Sequence, residues 1–112
     1  MKQEILMVKI HNGIKEGKSY YEATRGNWKI NRKRIEYIEY VVGINKGKVV
    51  CAFQPSKWYI VEESQESGRS FFDGSPVEEN MLANLKQSQD LLVDKFGQGS
   101  AVAYALKSEC RN

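Results

Sequence analysis

The chain has 112 residues, of which 17 are Lys or Arg and 14 Asp or Glu, for a net charge of +3, and 41% are hydrophobic. That length bounds it to one domain, residues 1–112, because two cores would each bury too little apolar surface to stand without metal or disulfides. The hydrophobic fraction, with only two prolines, excludes global disorder, and so small a charge excess does not by itself imply a polyanionic partner.

The first apolar run, EILMVKI over residues 4–10, reads as a strand, and HNGIKEGKS supplies the turn residues that follow it. It is too short for the apolar core of a secretory signal and lacks a basic leader, so a soluble cytoplasmic protein with no membrane partner is expected. YYEAT, residues 20–24, predicts a second strand closed by Gly26. Asn31 can cap a short helix carrying Ile35 and Ile38.

EYVVGINKGKVVCAF is the clearest hairpin pattern, with two Val-rich runs flanking Asn45, Lys46 and Gly47. Gly47 can take the positive φ of a tight connection. The second of these strands is expected to halt near Gln54 and Pro55, since proline cannot donate to a ladder. β character resumes at 57–63 and again at 69–74.

Ser75, Pro76 and Glu78 read as a capping box opening a helical segment. Val77, Met81, Leu85, Leu92 and Phe96 then fall on one helical stripe that Gly97 can end. One long helix and two helices broken near 86–89 both fit this pattern. SAVAYAL, residues 100–106, closes the chain as a strand. This order predicts an α+β domain, with a mixed, strongly curved sheet of barrel-like character packed against helices.

Catalytic patterns are sparse. His11 is the single histidine, no serine sits in a nucleophile elbow, and no metal-ligand spacing involving Cys or His occurs. Cys51 reads as a core residue, and with Cys110 as a reduced cytosolic pair. Glu22, Glu62, Glu63 and Asp73 could converge on a metal as in a nuclease, but paired acids at strand ends are ordinarily solvated edges. No enzyme activity, metal or cofactor is expected.

The charge distribution says more. Arg25, Lys29, Arg32, Lys33 and Arg34 lie in a stretch without an acid. Cations directly after a helix cap oppose the macrodipole, at a few tenths of a kcal/mol each, and a bound phosphate would offset that. Tyr20, Tyr21, Trp28, Trp58, Tyr59, Phe71 and Phe72 are interleaved with the cations, a combination that suits nucleic acid, in which bases stack on rings and phosphates meet Lys and Arg. An adjacent pair such as Phe71 and Phe72 is expected to send one ring to the core and the other to the far face. Arg25, Lys29, Arg32 and Arg34 are the expected phosphate contacts, and Trp28 and Trp58 the expected base contacts.

YEATRGNWKI, YVVGINKGKVVCAFQPSKWY, GRSFFDGSP and GQGSAVAYAL occur in an order that resembles small bacterial PUA-like modules. These are similar to EVE, ASCH and YTH domains and are often found beside nuclease domains. Thr24, Arg25, Gly26, Trp28 and Lys29 match an ATRGxWK-type stretch of that group, and Trp58 its tryptophan past the hairpin. The chain departs from the pattern at Ala101 and Val102, where a proline is expected, and in the length of 86–95. The resemblance implies a pseudo-barrel with a cleft for DNA or RNA, in which a flipped or modified base sits among aromatic rings. It also implies association with restriction, nuclease or defence systems, with a nuclease supplied in trans. A protein-interaction or inhibitor module, turning its basic face to an acidic partner, is the competing expectation.

Overall fold

A computed structural model describes residues 3–62 and 68–110. The elements run β1 (Glu4–Lys9), α1 (His11–Lys15), α2 (Tyr20–Arg25), α3 (Arg32–Ile35), β2 (Ile38–Asn45), β3 (Lys48–Ile60), β4 (Ser70–Pro76), α4 (Glu79–Gln87), α5 (Gln89–Val93) and β5 (Val102–Leu106). A 3₁₀ turn, Lys107–Glu109, follows. The strands form one sheet in the order β4-β3-β2-β1-β5. β1 and β2 are parallel, and the other pairs are antiparallel. The domain is therefore α+β with a mixed sheet. That sheet is not closed: β4 and β5 are its two ends.

β1 is an interior strand, between β2 and β5, and buried on both faces, which explains its uninterrupted apolar run. Ile5 and Met7 join a cluster with Leu85 of α4 and Leu92 of α5. Leu6 and Val8 join a second cluster with Ala23 of α2, Ile30 and Phe72. Helices thus cover both faces, α4 and α5 on one and the β1-to-β2 crossover on the other.

Residues 20–24 are helical, not the strand their apolar content suggested. The deciding signal is Ser19 with Glu22: the Ser19 hydroxyl accepts from the Glu22 N–H at 3.1 Å, and the Glu22 carboxylate accepts from the Ser19 N–H at 3.2 Å. This reciprocal capping box starts a helix. α2 then seats on β2 at Gly43, where a Cβ would stand 2.5 Å from Cys51 Sγ and 2.9 Å from Thr24 Oγ1. Residues 11–15, expected as a turn, likewise form a short helix.

The β2–β3 hairpin turns through Lys46 and Gly47, both at positive φ (52° and 79°), as a two-residue connection requires. β3 does not halt at Pro55. Its register shifts between Pro55 and Lys57, a bulge that accommodates the missing N–H. Ser56, the extra residue, donates its hydroxyl to the Asp73 carbonyl at 3.0 Å. Opposite, a Cβ on Gly74 would lie 2.9 Å from Pro55 Cα.

Ser75 and Pro76 do not open a helix either. They pair with Gln54 and Phe53 as the end of β4, and α4 starts from Glu78 without a side-chain cap. The helical segment is two helices, divided at Ser88.

Both sheet edges are covered in part. Along β4, Trp28 and Ser70 exchange backbone hydrogen bonds of 2.8 Å, Arg25 Nε donates to the Phe72 carbonyl at 3.0 Å, and the Gly74 N–H donates to the Tyr21 hydroxyl at 3.1 Å. Along β5, Ser100 Oγ donates to the Val102 carbonyl at 2.6 Å and the Leu106 N–H donates to Glu109 at 2.8 Å. Unpaired edge groups invite association, and these contacts remove much of that invitation. The segment 28–34 passes between the two edges: Trp28 pairs with β4, and the Arg34 guanidinium lies over the Tyr104 ring of β5.

Candidate nucleic-acid interface

The sequence-contiguous cations are divided by the fold. Arg25, at the end of α2, donates Nη2 to Asp73 and Nε to the Phe72 carbonyl, and its guanidinium lies 5.5 Å from the Tyr21 ring centroid and 5.3 Å from that of Phe71. Burial opposes its charge, but the hydrogen bonds to Asp73 and Tyr21 prevail and hold its pKa above the ordinary value. Arg34 sits at the other end of the strand order, 3.2 Å from Glu4 and 4.2 Å from the centroid of Tyr104. Lys29 and Arg32 are exposed. The helix start they flank is capped by its own residue, since the Asn31 side chain accepts from the Lys33 N–H at 3.0 Å.

Of the other expected site residues, Thr24 is buried, its Oγ1 3.3 Å from Cys51 Sγ. Trp28 is half-buried and donates its indole N–H to the Thr24 carbonyl at 2.7 Å. Trp58 is half-buried against the second core cluster, 5.2 Å from Phe72 between ring centroids.

A cleft of about 530 Å³ opens between the crossover and the end of β1. Its lining includes Lys9, His11, Lys18, Trp28, Arg69 and Ser100. Glu16, 3.7 Å from Lys18, is the acid in that lining. Lys9 Nζ also lies 4.9 Å over the Phe96 ring. A shallower recess of about 270 Å³, lined by Glu22, Arg25 and Phe71, adjoins the cleft through the shared residues Lys18, Gly26 and Asn27. Gly26 is required there: a Cβ would stand 2.9 Å from Phe71 Cα.

Of the expected contacts, Gly26 and Trp28 line the cleft and Arg25 the recess, whereas Thr24, Lys29, Arg32, Arg34 and Trp58 line neither. Lys9, Lys18 and Arg69 were missed because they are isolated in sequence and only the fold assembles them. The one signal available was topological, since ligands of sheets with parallel strands gather beyond strand carboxyl ends.

Two of the four acids considered for a metal, Glu22 and Asp73, have other tasks. Glu22 belongs to the α2 cap, Asp73 accepts from Arg25 and from Tyr59 at 3.0 Å, and Glu63 lies outside the described residues. Among the described residues no group of three or more His, Cys, Asp or Glu could hold a metal ion, and no helix is long and apolar enough to cross a membrane. Burial raises the Cys51 thiol pKa, which suits a packed side chain and not a nucleophile. The chain matches no family model, no curated protein sequence and no solved structure.

Proposed function

We propose that this is a non-enzymatic nucleic-acid-binding module whose contact surface is the cleft beside Trp28. The observation that carries the reading is the cleft's composition: Lys9, Lys18 and Arg69 stand against Glu16, with an indole in the wall. Cations that hold phosphates beside a flat apolar face are what nucleic acid requires. The volume falls within the ordinary range of ligand sites, so a flipped or modified base is the ligand we assign to it. Trp28 is the ring on the ligand side; Trp58 supports it only through the core. Lys29 and Arg32, exposed near Trp28 in sequence, serve as peripheral phosphate contacts.

The passage of residues 28–34 between β4 and β5 supports the PUA-like pseudo-barrel implied by the sequence resemblance. So does the bulge that bends β3. With that resemblance comes the proposed role beside a restriction or defence nuclease acting in trans. The free thiols Cys51 and Cys110 fit a reducing cytoplasm.

Anisotropy titration of labelled DNA and RNA oligonucleotides tests the reading. The Lys9→Ala, Lys18→Ala double variant is expected to bind more weakly, with a log–log salt slope shallower by about 1.5, two phosphate contacts having gone. An unchanged affinity and slope would remove the cleft from consideration. A protein partner retained at high salt, with no oligonucleotide bound, would favour the interaction-module reading instead.

A further inference from the structure

We infer that the outer face of the β3–β4 arm is a stacking platform for single-stranded nucleic acid, continuous with the cleft; this rests on the reading of the cleft as a nucleic-acid site. The arm carries two cross-strand aromatic pairs, Trp58 with Phe72 and Tyr59 with Phe71. Strand alternation sends them to opposite faces. Phe72 is fully buried in the core, whereas Tyr59 and Phe71 remain half-exposed, their rings 5.0 Å apart and only 13° from parallel.

This outward pair has a cation at each end. Arg25 lies over Phe71, and Lys57 Nζ lies 5.1 Å over the Tyr59 ring. The two cations differ in mobility. Arg25 is anchored to Asp73 and the Phe72 carbonyl, whereas Lys57 is exposed on a flexible stem. Asp73 also accepts from the Tyr59 hydroxyl, which fixes the ring and raises its pKa. A base can therefore replace the Lys57 ammonium on the outer face of Tyr59, leaving that ammonium beside the adjoining phosphate.

Continuity with the cleft is geometric. Phe71 and Arg25 line the recess that shares Lys18, Gly26 and Asn27 with the cleft. A strand leaving the cleft crosses the Gly26–Asn27 saddle and meets the rings next. Duplex bases have both faces occupied by their neighbours, so only an unpaired strand can use such a platform.

The test is titration of a labelled single-stranded oligonucleotide, and of a duplex of the same sequence, with the wild type and four variants. Single strand is expected to bind tighter than duplex. Tyr59→Leu should weaken single-strand binding roughly fivefold or more, and Tyr59→Phe, which keeps the ring, should not. Lys57→Glu, on an exposed side chain that folding does not need, should weaken it as well and decides the matter if Tyr59→Leu is poorly folded. Wild-type single-strand affinity in both Tyr59→Leu and Lys57→Glu, alongside loss in the Lys9→Ala, Lys18→Ala variant, would overturn the platform and leave the cleft standing. No binding of either oligonucleotide by the wild type would overturn the cleft reading and the platform with it.

Discussion

Gly26 and Phe71 approach so closely that a Cβ on the glycine would stand 2.9 Å from the Phe71 Cα. The contact lets the chain leaving α2 lie flat along β4, where Trp28 then pairs with Ser70. Gly26→Ala must push the two segments apart. We expect a loss of about 1–3 kcal/mol, the usual cost of overpacking, read by urea denaturation. At Gly97 the nearest atom to an added Cβ is 4.0 Å away, so Gly97→Ala should lie within about 0.5 kcal/mol of the wild type. Equal effects at the two positions would contradict this packing.

Arg25 is expected to matter more to the fold than to salt-sensitive binding. Its two donors engage the Asp73 carboxylate and the Phe72 carbonyl, and it lies between Tyr21 and Phe71. A lysine cannot reproduce that planar fork. With side-chain exposures of 32% and 50%, solvent screens the ion pair, so Arg25→Lys should cost only about 1 kcal/mol of stability, through the lost geometry. The salt slope of oligonucleotide binding should change less for Arg25→Lys than for the Lys9→Ala, Lys18→Ala variant. A slope change without destabilisation would return Arg25 to the phosphate contacts.

Much of the sheet was legible in the sequence because its signals are local. The Lys46–Gly47 turn, the buried run of β1 and the division of Phe71 and Phe72 between two faces all follow from backbone geometry and strand alternation. The failures were competitions between two valid local signals. At 20–24 aromatic β propensity lost to the Ser19–Glu22 box. At Ser75 a helix cap lost to pairing with Gln54, and at Pro55 a strand breaker was absorbed by a bulge. The candidate site was less legible still. Arg25 and Arg34 are near in sequence, yet contacts with Asp73 and Glu4 draw them to different strands. Lys9, Lys18 and Arg69 become neighbours only once the crossover is built.

The two thiols should resist alkylation in the native protein. Burial, the larger influence on each, raises both pKa values; the hydrogen bonds from Thr24 to Cys51 and from Ser88 to Cys110 only partly oppose it. Thiolate is the reactive form, so iodoacetamide at neutral pH should modify both slowly. Half-exposed Cys110 should react before buried Cys51. Both should react quickly in denaturant. Mass spectrometry over time provides the check, and prompt native modification of Cys51 would mean that α2 does not stay seated on Gly43.

Acid should loosen the far edge of the sheet before the core. Glu109 accepts from Lys95 Nζ at 2.7 Å and from the Leu106 N–H at 2.8 Å, and these bonds hold its carboxyl below the ordinary 4.5. A depressed carboxylate contributes stability above its unfolded pKa and loses that contribution as pH falls through the folded one. The window therefore lies at and below pH 4.5, and its expected signature is a fall in Tm across it that Glu109→Gln reduces. Hydrogen exchange should place the change at the Leu106 amide, because protonation weakens the acceptor that covers the end of β5. If Leu106 stays protected through acidification while the amides of β1 exchange first, Glu109 does not serve as the cover of that edge.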